Sequence, residues 1–211
     1  MAFCNVYISI LVGSCLAISS LNGQNEVRAA YDLGVKYGTL GMFDSAKVAF
    51  EKALKIDNIY TPAKLNLIIV NEIFSKQIKG EAAKLYFQSI VFGNLNNPEG
   101  KIQMLNEALK IDPDFSLAYN ERGIVNAQKN LYKEAISDYE VALKFHPELS
   151  EIYINKALSC DKLEKYTEAI EAYKNFLKYT PVDYLEYIIY ARHRIAEIQT
   201  SIDESYHQET E

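Results

Sequence analysis

Residues 119 to 147 read YNERGIVNAQKNLYKEAISDYEVALKFHP, and the pattern returns at a step of 34. Tyr119 is answered by Tyr153, Tyr132 by Tyr166, Ala135 by Ala169 and Tyr139 by Tyr173. Pro113, Pro147 and Pro181 keep the same step, and Ala108 and Ala142 fit it. A fixed period of this length marks an array in which each unit is one supersecondary element. Within the unit the spacing predicts a first helix from about Ser116 to Lys129, a turn near Asn130 and a second helix from Leu131 to Phe145. Proline then closes the unit, because its ring cannot continue a helix. Gly123 and Ala135, like Ala157 and Ala169, are small where the two helices cross. A longer side chain there would push the backbones apart, whereas Tyr139 and Tyr173 fill the gap between neighbouring helices.

Working outward, an earlier copy carries Leu33-Gly34 and Tyr37 on its first helix, then Ala46, Phe50 and Ala53 on its second, with Asn58 in place of the proline. Together these copies resemble the tetratricopeptide repeat over roughly residues 27–183. In the last copy Phe176 stands where that pattern has its final alanine. The resemblance implies an all-α fold, a right-handed superhelical array of antiparallel helix pairs. Repeats are expected at about 27–60, 61–115, 116–149 and 150–183.

The second repeat is too long. Ala53-Leu54-Lys55-Ile56-Asp57 returns as Ala108-Leu109-Lys110-Ile111-Asp112 at a spacing of 55, one period and a further 21. The excess holds about one helix and a turn. Pro62 to Phe92 reads either as one long helix or as two broken near Lys79-Gly80, and the run Ala83, Phe87, Ile90 favours the break. After Pro181 the segment 184–200 is amphipathic, with Leu185, Ile188, Ile189, Ile195 and Ile198 near one side. It is expected to cap the array, whose last apolar face must be covered. Residues 201–211 read as a disordered acidic tail.

Residues 1–23 contain no Asp, Glu, Lys or Arg, and Val6 to Leu21 is apolar. That length suits a signal-peptide core and is short for a membrane span. Cleavage is expected after Ser19 or after Gly23. An uncleaved anchor, or lipidation at Cys15 within Val12-Gly13-Ser14-Cys15, are the alternatives. The expected location is therefore exported, periplasmic or secreted, with membrane attachment only if this segment is retained or lipidated. Cys4 and Cys15 would leave with it, so Cys160 would be alone and could form no internal disulfide.

The remaining chemistry is sparse. Net charge is −6, four of those charges being Asp203, Glu204, Glu209 and Glu211, and no basic run occurs, which argues against nucleic acid. His146, His193 and His207 lack a second His or Cys at ligand spacing, so no metal site is expected. No phosphate loop is present. No catalytic residue and no cofactor are expected, and the chain reads as a binding protein rather than an enzyme. There are 16 tyrosines and no tryptophan. A buried tyrosine needs a partner for its hydroxyl, which suits rims and grooves.

In the resembled family the first helices line a concave surface. By register that surface here would carry Tyr31 and Val35, Tyr86 and Ile90, Asn120 and Ile124, and Ile154 and Leu158. Each pair is four apart and shares a helix face. An apolar trough rimmed by tyrosine is expected to take a segment of another protein, unless the cap helix or the insertion fills it. Some relatives clamp a C-terminal carboxylate with lysine, asparagine and arginine. The matching positions here hold Tyr31, Val35, Phe87, Leu117 and Glu121, or one unit further Tyr86, Ile90, Glu121, Glu151 and Asn155, so neither set supplies a cation. A soluble adaptor is the leading expectation, and a structural subunit of a membrane-associated assembly is the rival.

Overall fold

The computed structural model describes residues 19–208, with side chains for 23–204. Most of the expected export signal, residues 1–18, lies outside the described residues, and 19–23 open the first helix. The described residues form ten α-helices and no strand: α1 (Ser19–Thr39), α2 (Phe43–Ile56), α3 (Thr61–Phe74), α4 (Gly80–Asn94), α5 (Pro98–Ile111), α6 (Ser116–Gln128), α7 (Tyr132–Phe145), α8 (Ser150–Lys162), α9 (Tyr166–Tyr179) and α10 (Leu185–Gln208). They fall into two compact units, which divide between Arg122 and Gly123.

Helix boundaries keep the period. α8 and α9 start and stop one full period after α6 and α7, and α5 repeats the bounds of α2 at the longer spacing. The turns explain why. Gly41, Asn96, Asn130 and Glu164 close the first helix of successive pairs, and each has positive φ, at 73°, 55°, 61° and 57°. At Glu164 the next residue, Lys165, donates its N–H to the Cys160 carbonyl at 3.0 Å, and Glu164 donates to Asp161 at 3.0 Å. The same two bonds recur at Asn130, where Leu131 donates to Asn126 at 2.8 Å. This left-handed cap satisfies carbonyls that the helix end leaves open.

In residues 19–122, α1 packs along α2 and α4 along α5. The break expected near Lys79-Gly80 is present, because α3 ends at Phe74 and α4 begins at Gly80. The additional helix is α3. It packs on α2 and barely touches α4, so α1 and α4 pack directly against each other. Their contact depends on Gly38, where a Cβ would overlap the Phe87 ring, just as one on Gly34 would overlap Phe50 between α1 and α2. Phe50 and Phe87 stack at 6.0 Å. Asp112, buried at the end of α5, accepts the Lys79 backbone N–H at 2.8 Å and so caps the start of α4.

In residues 123–208, a Cβ on Gly123 would come within 2.7 Å of Tyr139, and Asn126 donates to Asp138 at 3.1 Å. α7 packs on α8, α8 along α9, and α10 on α9. The core joins Ile136, Ile154, Ala157, Cys160, Ala169, Tyr173 and Phe176 to Ala191 and Ile198 of α10.

Two expectations for the C-terminal segment need correction. The helix does not stop at Thr200 with a disordered tail beyond it, but continues to Gln208. Nor does its inner face include Leu185 and Ile189, which are 61% and 58% exposed. Tyr187, Ala191, Ile195 and Ile198 face α9 instead. Leu185 and Ile189 each lie two residues from Tyr187, which places them on the far side of a helix with 3.6 residues per turn.

Candidate binding surface

The eight residues expected to line a trough do not share one environment. Tyr31, Val35, Tyr86, Asn120, Ile124 and Ile154 are buried, and only Ile90 and Leu158 are partly exposed. The open apolar trough is thus corrected: most of its expected lining is core. Tyr31 shows the reason. Its ring meets Phe50 at 5.9 Å and Tyr60 at 5.5 Å, and its hydroxyl accepts from Asn66 Nδ2 at 3.3 Å. Asn66 belongs to α3, so the additional helix supplies part of what covers this side of α1. Tyr86 is enclosed by Phe87 at 5.7 Å and Phe115 at 5.2 Å. In the other unit Ile154 is a core member, and Leu158 packs against that core.

A polar constellation lies among these residues in the unit spanning 19–122. Glu121 accepts from Lys101 Nζ at 2.6 Å, and both side chains are largely buried. Burial pushes the Tyr31 and Tyr86 phenols above their ordinary range, and the Glu121 carboxylate pushes both further. Both tyrosines therefore stay neutral at physiological pH. Arg28 is held by Asp32 at 3.1 Å. Arg122 donates to Asn106 at 2.9 Å and lies over the Tyr119 ring at 5.2 Å. Asn120 stands at the register position that Tyr31 and Tyr86 occupy in the preceding pairs. It is 2% exposed, and its Oδ1 has no hydrogen-bond partner among the described residues.

The sequence had flagged Glu121 only as a residue that cannot bind an anion. Its pairing with Lys101 joins helices 20 residues apart, and Asn66 reaches Tyr31 across 35. Neither link has a local signature. At the positions that would form a carboxylate clamp, Tyr31, Val35, Phe87 and Leu117 are buried and Glu121 is paired. Among the described residues no group of three or more His, Cys, Asp or Glu could hold a metal ion. No helix among them is long and apolar enough to cross a membrane. Cys160 is buried, and burial pushes its thiol up to about 11, far from a reactive thiolate.

A family described as "Tetratricopeptide repeat" matches residues 27–60 and 150–183. No curated protein matches. Among solved structures, the first such domain of Spaghetti (RPAP3) bound to HSP90 peptide SRMEEVD is 16% identical, with 60% of this chain and 98% of that one covered at a TM-score of 0.52. The TPR2B domain of yeast Sti1, in a pHsp70 complex, is 17% identical, with 58% and 99% covered at 0.52. The TPR2AB domain of yeast Sti1, in a pHSP90 complex, is 15% identical over 86% of this chain and 73% of that one, at 0.50. At these identities the likeness is one of fold.

Proposed function

We propose that this chain, which is a tetratricopeptide repeat protein, is a non-catalytic adaptor that holds a segment of another protein against its first helices α1 and α4. One observation carries the reading. The additional helix α3 leaves α1 packed directly on α4, so the insertion does not come between these two first helices. The solved relatives bound to HSP90 and Hsp70 peptides support a segment as the kind of partner. The side chains do not support the same segment, since no cation stands where a terminal carboxylate would be gripped.

Site-specific photo-crosslinking in the source cells tests this reading. A photoreactive residue replaces Ile90, partly exposed on α4, or Val48, 66% exposed on α2. The adaptor reading expects a discrete adduct from position 90 and none from position 48. Adducts from position 48 alone would favour the rival, a structural subunit that uses its outer helices. We also propose that residues 1–23 direct export and are removed. Mass spectrometry of the mature chain checks this, with a start at Ser20 or Gln24 expected. Retention of the segment or lipid on Cys15 would instead mean tethering.

A further inference from the structure

We propose that the break between α3 and α4 is a hinge, and that two copies of this chain exchange α1, α2 and α3 across it by joining α3 and α4 into one continuous helix over 61–94. This goes beyond the adaptor reading and does not depend on it. The joining residues Ser75-Lys76-Gln77-Ile78-Lys79 contain neither glycine nor proline, so they carry no local signal that stops a helix. Gly80 follows, which weakens a continuous helix without breaking it. The chain turns because Lys76 takes a positive φ of 60°, a conformation costly for a residue with a Cβ. Gly41, Asn96 and Asn130 tolerate that conformation at their turns. Glu164 tolerates it poorly, but α8 and α9 on either side pack along each other, whereas α3 and α4 barely touch.

The end of α5 holds the break. Asp112 accepts the Lys79 backbone N–H at 2.8 Å, and Lys79 Nζ donates to the Ile111 carbonyl at 2.7 Å. The matching Asp57 after α2 stays local, its Oδ1 accepting the Ile59 N–H at 3.0 Å. Lys79 has one amide proton to give. In the broken form it goes to Asp112, and in a continuous helix it goes to the Ser75 carbonyl four residues back. The two forms exclude each other, and Asp112 favours the broken one. Straightening carries α4 away from α1, which parts Gly38 from Phe87 and Arg28 Nη2 from Asn94 Oδ1, 3.5 Å apart when closed. A second copy presents these same surfaces, so a reciprocal exchange restores the contacts between chains.

The full chain, with a photoreactive residue in place of Arg28, is prepared with light and with heavy nitrogen. The two preparations are mixed, unfolded and refolded at rising concentration, and monomer and dimer are separated by size. A dimer should appear, and its adducts between position 28 and the segment around Asn94 should join light chains to heavy ones. In the monomer those adducts should stay within one isotope. Asp112→Ala should lower the concentration needed for half-dimerisation roughly tenfold, the scale of one lost capping bond. Lys76→Gly should raise it, because glycine relieves the turn and weakens the continuous helix. Circular dichroism checks that each variant folds, and if Asp112→Ala does not, wild type and Lys76→Gly decide the matter. A chain that stays monomeric at every concentration overturns the hinge. So does a dimer whose adducts stay within one isotope, or a Lys76→Gly variant that dimerises as readily as wild type.

Discussion

The Arg194 guanidinium grips Asp161 with two hydrogen bonds, Nε to Oδ2 at 2.7 Å and Nη2 to Oδ1 at 2.8 Å. The pair ties α10 to the end of α8, and Tyr173 lends its hydroxyl to Asp161 at 3.5 Å. A planar fork meeting both oxygens cannot be copied by an ammonium. Arg194→Lys should therefore lower stability by about 1 kcal/mol, a figure kept small because the arginine is partly solvated and screened. Urea unfolding checks the size, and hydrogen exchange should show faster opening of α10 than of α8.

Glu164 has its backbone in the left-handed region at the turn where the other pairs place Gly41, Asn96 and Asn130. Glycine carries no penalty there, and asparagine carries less than glutamate. Glu164→Gly should raise stability by about 0.5–1 kcal/mol even though no contact is gained. Thermal unfolding is the measurement, and an unchanged or lower midpoint would count against the turn geometry.

Gly38 faces the Phe87 ring with no room for a methyl group. Gly38→Ala gains helix propensity but must push α1 and α4 apart. Overpacking should dominate, at about 1–3 kcal/mol of destabilisation. Circular dichroism melts of the variant decide it.

Ile154 and Leu158 differ in burial, four residues apart on α8. Ile154→Glu would bury a charge in the core of residues 123–208 and should cost several kcal/mol. Leu158→Glu should cost clearly less. Loss of helicity in the first variant and its retention in the second would separate core from accessible face.

Burial raises the Cys160 thiol to about 11. Its ordinary value is near 8.5, so the unfolded chain loses this proton first as pH rises. Stability from this group is full below about pH 8.5 and falls as pH climbs toward 11. Relative to Cys160→Ala, the wild type should lose ground over that window. At pH 8 iodoacetamide should label the thiol only after unfolding.

Much of the array was legible because its signals are local. The turn at Asn130 needs a residue that tolerates positive φ, the prolines stop helices, and the step of 34 repeats both. Hence helix boundaries in the third repeat could be read to within a residue or two, and the surplus length of the second repeat pointed to an additional helix. Reading an interaction face was harder. Periodicity tells that Leu185, Ile189, Ile195 and Ile198 are apolar and roughly aligned, but not which neighbour the helix turns toward.

What the sequence determined by itself is the repeat: its length, its helix pairs, its additional helix and its lack of clustered cations. Tertiary structure alone decided which side of each first helix is covered. Tyr31 is core because Asn66 and Tyr60, far along the chain, close over it. Asn120 is left with a buried oxygen because no described residue of the folded chain donates to it. Such facts depend on how helices lie against one another, and side-chain burial is set by neighbours that no local spacing encodes.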